Sequence, residues 1–554
     1  MKGRSEMARF SGRSSRWLCA LVVGAIVAAL GVWAQNAALV GVNYDDGIYA
    51  LLAKALADGD GYNLTFLPVS LPGIKYPPVY PVSLVPFWEF SGSQAAALLG
   101  MKIANGLCIG LAAGLFTFLL VDLAILSPLL AVAVALLGFA SGSMMLVSAG
   151  VLSEPLYLVL LFAALWVADT SKRDPRLSRL IIAGLLAGLV VLTRTVGITL
   201  LVAVMIGFWQ RFGWKVASKT VAIAALLIVP WIAFTFVRSG EVPELLMPRY
   251  GSYLQLYLAN LDGSVWAAFD IAWANVGAIL QTLGGKLLPQ FGPLLRSLTG
   301  GLLIALAMLG SFRIWRDAPA TAVYPWLYLG LVSVWSFPPF RFLFIVFPLL
   351  LALAVVSFPV LVPRATEMFG GSAIARGKRP SLRVALVGVG LIVLANLGYR
   401  EVRALSRRVW DGAELDKSAS SAELVDWVLE NTDPETVIAY DLDALVALHT
   451  GRKVVPNNYE PVHIWYRREP SPPESLARLY RDMEVDYVAV RSSPLAAAPI
   501  DALMEHRPGS LSMTFVTRGG VLILETNLEA LGANLGSPDR GSGPSESDER
   551  GQEN

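Results

Sequence analysis

The chain has 554 residues, of which 55% are hydrophobic and only 16% charged, with a mean hydropathy of +0.58. That composition excludes an ordinary soluble protein and fits a chain that crosses a membrane many times. A net charge of +2 offers no basic surface for nucleic acid, so no nucleic-acid partner is expected.

The chain opens with a basic stretch, residues 1–16, which is expected to be a cytoplasmic N-terminus. Apolar runs of helix-spanning length follow near 17–39, 93–120, 125–144, 152–169, 180–194, 196–209, 220–238, 295–314, 319–336, 342–362 and 384–398. The expectation is a polytopic α-helical membrane protein with about eleven transmembrane helices over 17–398. The basic start and first apolar run also fit a cleaved signal peptide, but removing that run would break the charge alternation of the loops. One set of short loops carries nineteen Lys and Arg residues, among them Arg16, Lys172, Arg211, Arg313 and Arg379; the opposite set carries about eight in longer loops. By the positive-inside rule the rich side is cytoplasmic. A first outer loop, 40–92, and everything after the last span then lie outside, in a plasma membrane that is expected to be bacterial.

Beyond about 399 the pattern changes. Helix-like segments (Ala422–Asn431, Asp443–Thr450, Glu474–Met483) alternate with extended ones (Thr436–Tyr440, Lys453–Pro456, Val485–Arg491, Met513–Thr517, Val521–Glu525). This predicts a small extracytoplasmic α/β domain over 399–527. The Gly-, Ser-, Pro- and acid-rich stretch 528–554 is expected to be a disordered tail. No internal repeat is visible.

The chemistry has few candidate groups. Cys19 and Cys108 both lie in apolar runs and can build neither a disulfide framework nor a Cys metal site. His449, His463 and His506 all fall in the C-terminal region, so acid–base work in the membrane part must use carboxylates. The first outer loop holds Asn43-Tyr44-Asp45-Asp46-Gly47 and then Lys75-Tyr76-Pro77-Pro78-Val79-Tyr80-Pro81. An Asp before Gly47-Ile48-Tyr49 fits a helix cap. Two adjacent acids are more than a cap requires, and paired like charges raise one pKa, which suits a base. Ile48, Leu51, Leu52, Ala55 and Leu56 make the helix amphipathic, so it is expected to lie along the membrane surface. Lys75 fits either a snorkelling side chain or a cation held rigidly by prolines against a lipid phosphate. Glu154, in Ser153-Glu154-Pro155, is either the cap of its span or a partner of Asp45 on the same face. Arg194 and Arg341 sit at outer span ends, against the charge bias, where either can pair with a carboxylate or hold a phosphate. Lys102, inside a span, is a weaker candidate, and Arg452 and His463 fit a solvated surface better than an acceptor contact.

Taken together the pattern resembles the GT-C superfamily of membrane glycosyltransferases, nearest to bacterial protein O-mannosyltransferase-like and lipid A aminoarabinose transferase-like enzymes. The shared marks are Asp45-Asp46, the run from Lys75 to Pro81, Ser153 to Leu156, Leu192 to Arg194, and Arg341 to Pro348. They span roughly residues 15–400 in the family's order. The resemblance implies an enzyme that moves a hexosyl or pentosyl group from a polyprenyl-phosphate donor to an acceptor hydroxyl at the outer membrane face, with inversion. The acceptor is a lipid, glycan or protein. It implies Asp45 as general base, with Asp46 standing where the family often has Glu. Lys75, with Arg194 or Arg341, neutralises the departing lipid phosphate, and Glu154 orients the acceptor or a cation. No metal or other cofactor is expected, although some family members use a divalent ion. The rival readings are a transporter or flippase of lipid-linked sugars and a non-catalytic envelope assembly protein. A transporter calls for repeats and for charge through the middle of the bilayer, whereas the marked charges here gather at one face.

Overall fold

A computed structural model describes residues 13–171, 176–261, 264–368, 379–458, 472–491 and 494–532. Its bulk is a bundle of apolar helices. Among the described residues five are long and apolar enough to cross a membrane: Ser14–Trp33, Gln94–Asp122, Thr195–Phe212, Trp214–Glu241 and Pro293–Ile314. Two bent pairs raise that number to seven if each is one span. The other expected spans coincide with shorter or partly described helices, Glu154–Thr170, Leu177–Thr193, Pro319–Ser333, Leu343–Met368 and Arg379–Ser406. One apolar helix had not been expected as a span. Val265–Leu287 follows Tyr253–Leu261 after a bend of 105°, and Asp270, Asn275, Gln281 and Lys286 dilute its hydropathy.

Small residues let the bundle close. Helix Arg13–Trp33 packs along Gln94–Asp122 through a stripe of glycines spaced four apart. A Cβ on Gly110 would stand 2.4 Å from Ala28 Cβ, and one on Gly106 would stand 2.7 Å from the Gly31 carbonyl carbon. Close backbone approach of this kind supplies the dispersion contacts that hold helices together where no hydrophobic drive exists. Gly110→Leu is expected to force the two helices apart at a cost of about 1–3 kcal/mol. A thermal melt of the purified protein in detergent checks this; an unchanged melting temperature would show that the packing is not this tight.

The two ends of the bundle differ. At one, Arg16 bonds Asp122 at 2.6 Å, and Asp169 accepts from the backbone N–H groups of Ala320 and Thr321 at 3.1 and 2.8 Å. At the other sit the loop after Trp33, the stretch 40–92, the chain around Arg249, the turn before Leu343, and the C-terminal domain. A two-stranded hairpin, β1 (Asn63–Leu64) with β2 (Leu71–Pro72), lies in 40–92.

The C-terminal domain is a five-stranded sheet of β3 (Val437–Ala439), β4 (Lys453–Val455), β5 (Tyr487–Arg491), β6 (Leu511–Val516) and β7 (Val521–Thr526). The order is β4-β3-β5-β7-β6. Strands β4, β3 and β5 are parallel, and β7 and β6 are added antiparallel. Helices Asp411–Asn431, Asp443–Thr450, Pro473–Asp482 and Pro494–His506 accompany the sheet. The fold class read from sequence is therefore correct: a helical membrane protein with a small C-terminal α/β domain. Leu528–Gly532, expected to belong to the tail, is a short helix with Leu531 buried. Residues 1–12 and 533–554 lie outside the described residues.

The helix Asp45–Asp58 corrects a second expectation. It does not lie along a membrane surface: Asp46, Gly47, Ile48, Tyr49, Ala50, Leu51, Leu52, Ala53 and Ala55 are all buried. Protein covers it on two sides: Leu52 meets Gly73 and the Tyr49 ring packs on Tyr76 and Tyr80 within the first loop, and the C-terminal domain closes over Gly47. Gly41, at φ +112°, brings its backbone against Leu445, and a Cβ on Gly47 would meet Ala444 Cβ at 2.9 Å. One apolar core runs from Ile48 and Leu52 into Leu445, Val446 and Val488. The first loop and the C-terminal domain thus form a single cap on the helical bundle.

Candidate active site

Beneath that cap is a cavity of about 550 Å³. Asp45, Lys75, Arg194 and Arg341 line it, with Tyr49, Tyr76 and Tyr253 between them. Residues from five separate parts of the sequence therefore face one space.

Asp45 begins its helix through a strained turn. Tyr44 has φ +65° and ψ −66°, and the Asp45 N–H donates to the Asn43 carbonyl at 2.8 Å. This is a γ-turn of the rare kind, and a tyrosine held at positive φ costs on the order of 1–3 kcal/mol. The conformation is held from the far side. Arg249 Nε donates to the Tyr44 hydroxyl at 2.9 Å, and its guanidinium lies 4.3 Å from the ring centre.

The Asp45 carboxylate enters a continuous polar chain. Oδ2 pairs with Arg341 at 2.9 Å, and Oδ1 accepts from the Tyr76 hydroxyl at 3.2 Å. Arg341 Nε reaches Glu154 Oε1 at 2.6 Å, and Arg194 reaches the same oxygen at 3.0 Å. Arg194 also donates to Ser153 Oγ at 2.9 Å, and that oxygen is 3.0 Å from the Tyr49 hydroxyl. Two carboxylates thus face two guanidinium groups, a balanced set in which Glu154 and Arg194 are the buried pair and Asp45 and Arg341 are partly exposed. A carboxylate has about four lone-pair positions. The two bonds made by Asp45 leave acceptor capacity toward the cavity.

Lys75 lies on another part of the wall. Its Nζ donates to the Arg249 carbonyl at 2.7 Å, within 5.8 Å of the Phe337 ring centre and 6.0 Å of those of Tyr76 and Tyr253. The prolines after it work as expected: Val79–Phe90 starts immediately after Pro78, which fixes the segment that presents Lys75. Arg249 stands beside it, held by Asp443 at 3.1 Å and by the Asp441 carbonyl. Burial raises the Asp443 carboxyl above its usual range, and Arg249 opposes that rise.

Two of the proposed site residues are elsewhere. Glu154 is 1% exposed and lies behind Arg194 and Arg341, outside the cavity wall. Asp46 turns away from Asp45 altogether. Its Oδ1 accepts from the N–H groups of Asn43 and Gly47 at 3.1 and 3.0 Å, so it ties the γ-turn to the helix start. Lys102, the weak candidate, donates to the Asn36 and Ala38 carbonyls at 3.2 and 2.7 Å, and so clamps the loop leading to the site.

Burial raises the Asp46 carboxyl from 3.8 to about 7, with repulsion from Glu414 and Asp45 adding to it. A group whose folded pKa is raised binds its proton more tightly when folded. Its contribution to stability is full below the unfolded value and is lost as pH rises toward about 7. The protein is therefore expected to lose melting temperature between pH 5 and 7, and Asp46→Asn to flatten that loss. An identical slope in both proteins would contradict the burial assigned to this side chain.

One side of the cavity wall was not expected from the sequence. Lys417, Asp441, Asn458 and Arg491 come from the C-terminal domain, in which no catalytic residue had been seen. A signal was present: Asp441, Asn458 and Arg491 lie at or just past the carboxyl ends of the parallel strands β3, β4 and β5, where open α/β sheets place their ligands. Arg491 pairs with Asp441 across that edge. Arg452 is committed to the Thr432 and Thr450 carbonyls at 2.8 and 3.1 Å, and His463 lies outside the described residues. Among the described residues no group of three or more His, Cys, Asp or Glu side chains is placed to hold a metal ion.

No protein-family model matches the sequence, and no curated protein does. Solved structures match across nearly the whole chain. ArnT from Cupriavidus metallidurans, bound to undecaprenyl phosphate, superposes with a TM-score of 0.54 at 15% identity, covering 93% of this chain and 98% of that one. Its fold is that of the GT-C membrane glycosyltransferases. The Archaeoglobus fulgidus oligosaccharyltransferase, solved with zinc and sulfate, superposes with a TM-score of 0.53 at 14% identity, over 91% of this chain and 73% of that one. At such identities the likeness concerns the GT-C backbone, and the cavity has to be read from this chain's own residues.

Proposed function

We propose that the protein is a membrane glycosyltransferase that moves a sugar from a polyprenyl-phosphate donor to an acceptor hydroxyl, with the cavity open at the outer membrane face. The observation that carries this reading is the pairing of a carboxylate, Asp45, and an ammonium, Lys75, on the walls of one cavity at the end of an apolar bundle. Attack at an anomeric carbon expels a phosphate, so the site needs a base on one side and fixed positive charge on the other. Asp45 accepts the proton of the attacking hydroxyl through its cavity-facing lone pairs. Lys75, with the charge of Arg249 beside it, stabilises the phosphate as it leaves. Arg194 and Arg341, considered from sequence as the second phosphate cation, are engaged with Glu154 and Asp45 and hold the base in place. Glu154 and Asp46 are positioning residues. Displacement in a single step inverts the anomeric centre, and the donor's lipid tail stays among the helices. The undecaprenyl phosphate held by the structurally similar ArnT supports a donor of this class. No step requires a metal ion.

Lys75 separates this reading from a purely structural role. Lys75→Ala removes a charge-assisted contact to phosphate, so undecaprenyl-phosphate affinity is expected to fall about 10-fold or more, and turnover with it. Binding of the lipid phosphate to purified variant and wild type checks this. Equal affinities would remove Lys75 from the donor site.

A further inference from the structure

A second cavity, of about 400 Å³, opens at the same end of the bundle but on different residues. Its walls are the turn at Pro289 and Gln290 and the helix Arg379–Ser406 with the turn after it, from which Tyr399, Arg400, Arg403 and Arg407 contribute. The arginines are spaced three and four apart, which sets them on one helix face over about 10 Å of axis. Like charges at that spacing repel. The nearby acids relieve only the innermost of them: Glu401 acts on Arg400 and accepts from the Gly142 N–H at 3.1 Å, and Asp411 pairs with Arg408. Arg400 donates to the Lys286 carbonyl at 2.7 Å, which anchors it at the cavity's inner side. The guanidinium groups of Arg403 and Arg407 have no hydrogen-bond or ion-pair partner among the described residues, and both are exposed. Large apolar groups flank them on the same surface, with Tyr399 65%, Val402 66% and Val409 56% exposed. Unrelieved cations beside apolar surface, at the point where an apolar helix leaves the bundle, match one ligand chemistry: a phosphate joined to hydrocarbon.

We propose that Arg400, Arg403 and Arg407 form a binding site for the phosphate headgroup of an anionic membrane lipid, separate from the cavity that holds Asp45. Guanidinium groups suit phosphate because their planar forks offer paired N–H donors. An anion lying between Arg403 and Arg407 removes the repulsion that the helix otherwise bears, while acyl chains lie against Val402 and the outer helix surface. The proposal is independent of the assigned reaction, since none of these residues faces the first cavity.

The test uses the full-length protein in detergent, with bound phosphatidylglycerol counted by native mass spectrometry. Wild type is expected to retain phosphatidylglycerol, and Arg403→Gln/Arg407→Gln to bind it about 10- to 30-fold more weakly, the loss expected for two cations at a lipid surface. Lys215→Gln, an exposed cation at the opposite end of the bundle, is expected to change nothing. Zwitterionic phosphatidylcholine should bind more weakly than phosphatidylglycerol, and millimolar inorganic phosphate should fail to displace the lipid. Unchanged lipid binding in the double variant, or an equal loss in Lys215→Gln, would overturn the site. Displacement of the lipid by inorganic phosphate would assign the arginines to a soluble phosphate and overturn the lipid.

Discussion

Asp45→Asn lowers turnover by about 100-fold or more, the scale of a positioned base, and leaves affinity for undecaprenyl phosphate within roughly twofold. Asparagine keeps the size of the side chain and still accepts from the Tyr76 hydroxyl through its oxygen, but it cannot take a proton at neutral pH. The lost ion pair to Arg341 has little effect on folding, because both partners are partly exposed, at 27% and 22%. A drop in turnover without loss of melting temperature or donor binding is therefore the signature of a base. Asp46→Asn supplies the contrast: its carboxyl is buried away from the cavity, so it is expected to alter the pH dependence of stability and to leave most of the turnover in place. If Asp46→Asn abolished transfer while Asp45→Asn spared it, the base would be the other member of the pair.

The second large effect concerns folding as much as catalysis. Glu154→Gln leaves Arg194, 13% exposed, without the charge that neutralises it, and leaves Arg341 with Asp45 alone. Breaking a buried pair by removing one partner costs about 3–5 kcal/mol. The variant is expected to melt well below wild type and to lose turnover, because Arg341 no longer holds Asp45 from a fixed base. Adding Arg194→Gln restores the balance of charge and is expected to recover part of the stability. If the double variant proved less stable than either single change, the four groups would not act as a balanced set.

The sequence carried the helical bundle because its spans are long apolar runs and the loop cations alternate between sides. It carried Asp45, Lys75, Arg194 and Arg341 because charged residues at span ends are few and costly. Two kinds of information were missing. Asp45 and Asp46 are chemically identical neighbours, and only the γ-turn at Tyr44 shows which of them faces the cavity. Arg249, Lys417, Asp441 and Arg491 reach the cavity through contacts between segments far apart in the chain, to which local pattern is blind. The amphipathic pattern of Asp45–Asp58 was real, but periodicity alone cannot tell whether lipid or protein covers an apolar face. Here protein does: Gly73, Tyr76 and Tyr80 pack against Leu52 and Tyr49, and the Asp443–Thr450 helix packs against Gly47. That contact brings the carboxyl ends of three parallel strands onto the cavity and turns a domain without recognised chemistry into one of its walls.

In the proposed reaction a sugar leaves a polyprenyl phosphate in the cavity that holds Asp45. Purified protein in lipid vesicles, given a panel of radiolabelled polyprenyl-phosphate sugars together with a membrane extract as acceptor source, tests it directly. At least one donor is expected to transfer its label to an acceptor, with inverted anomeric configuration and one polyprenyl phosphate released per sugar, and Asp45→Asn is expected to reduce this transfer about 100-fold. Transfer at the wild-type rate by Asp45→Asn, or movement of intact lipid-linked sugar across the vesicle membrane with no bond broken, would contradict the proposed reaction.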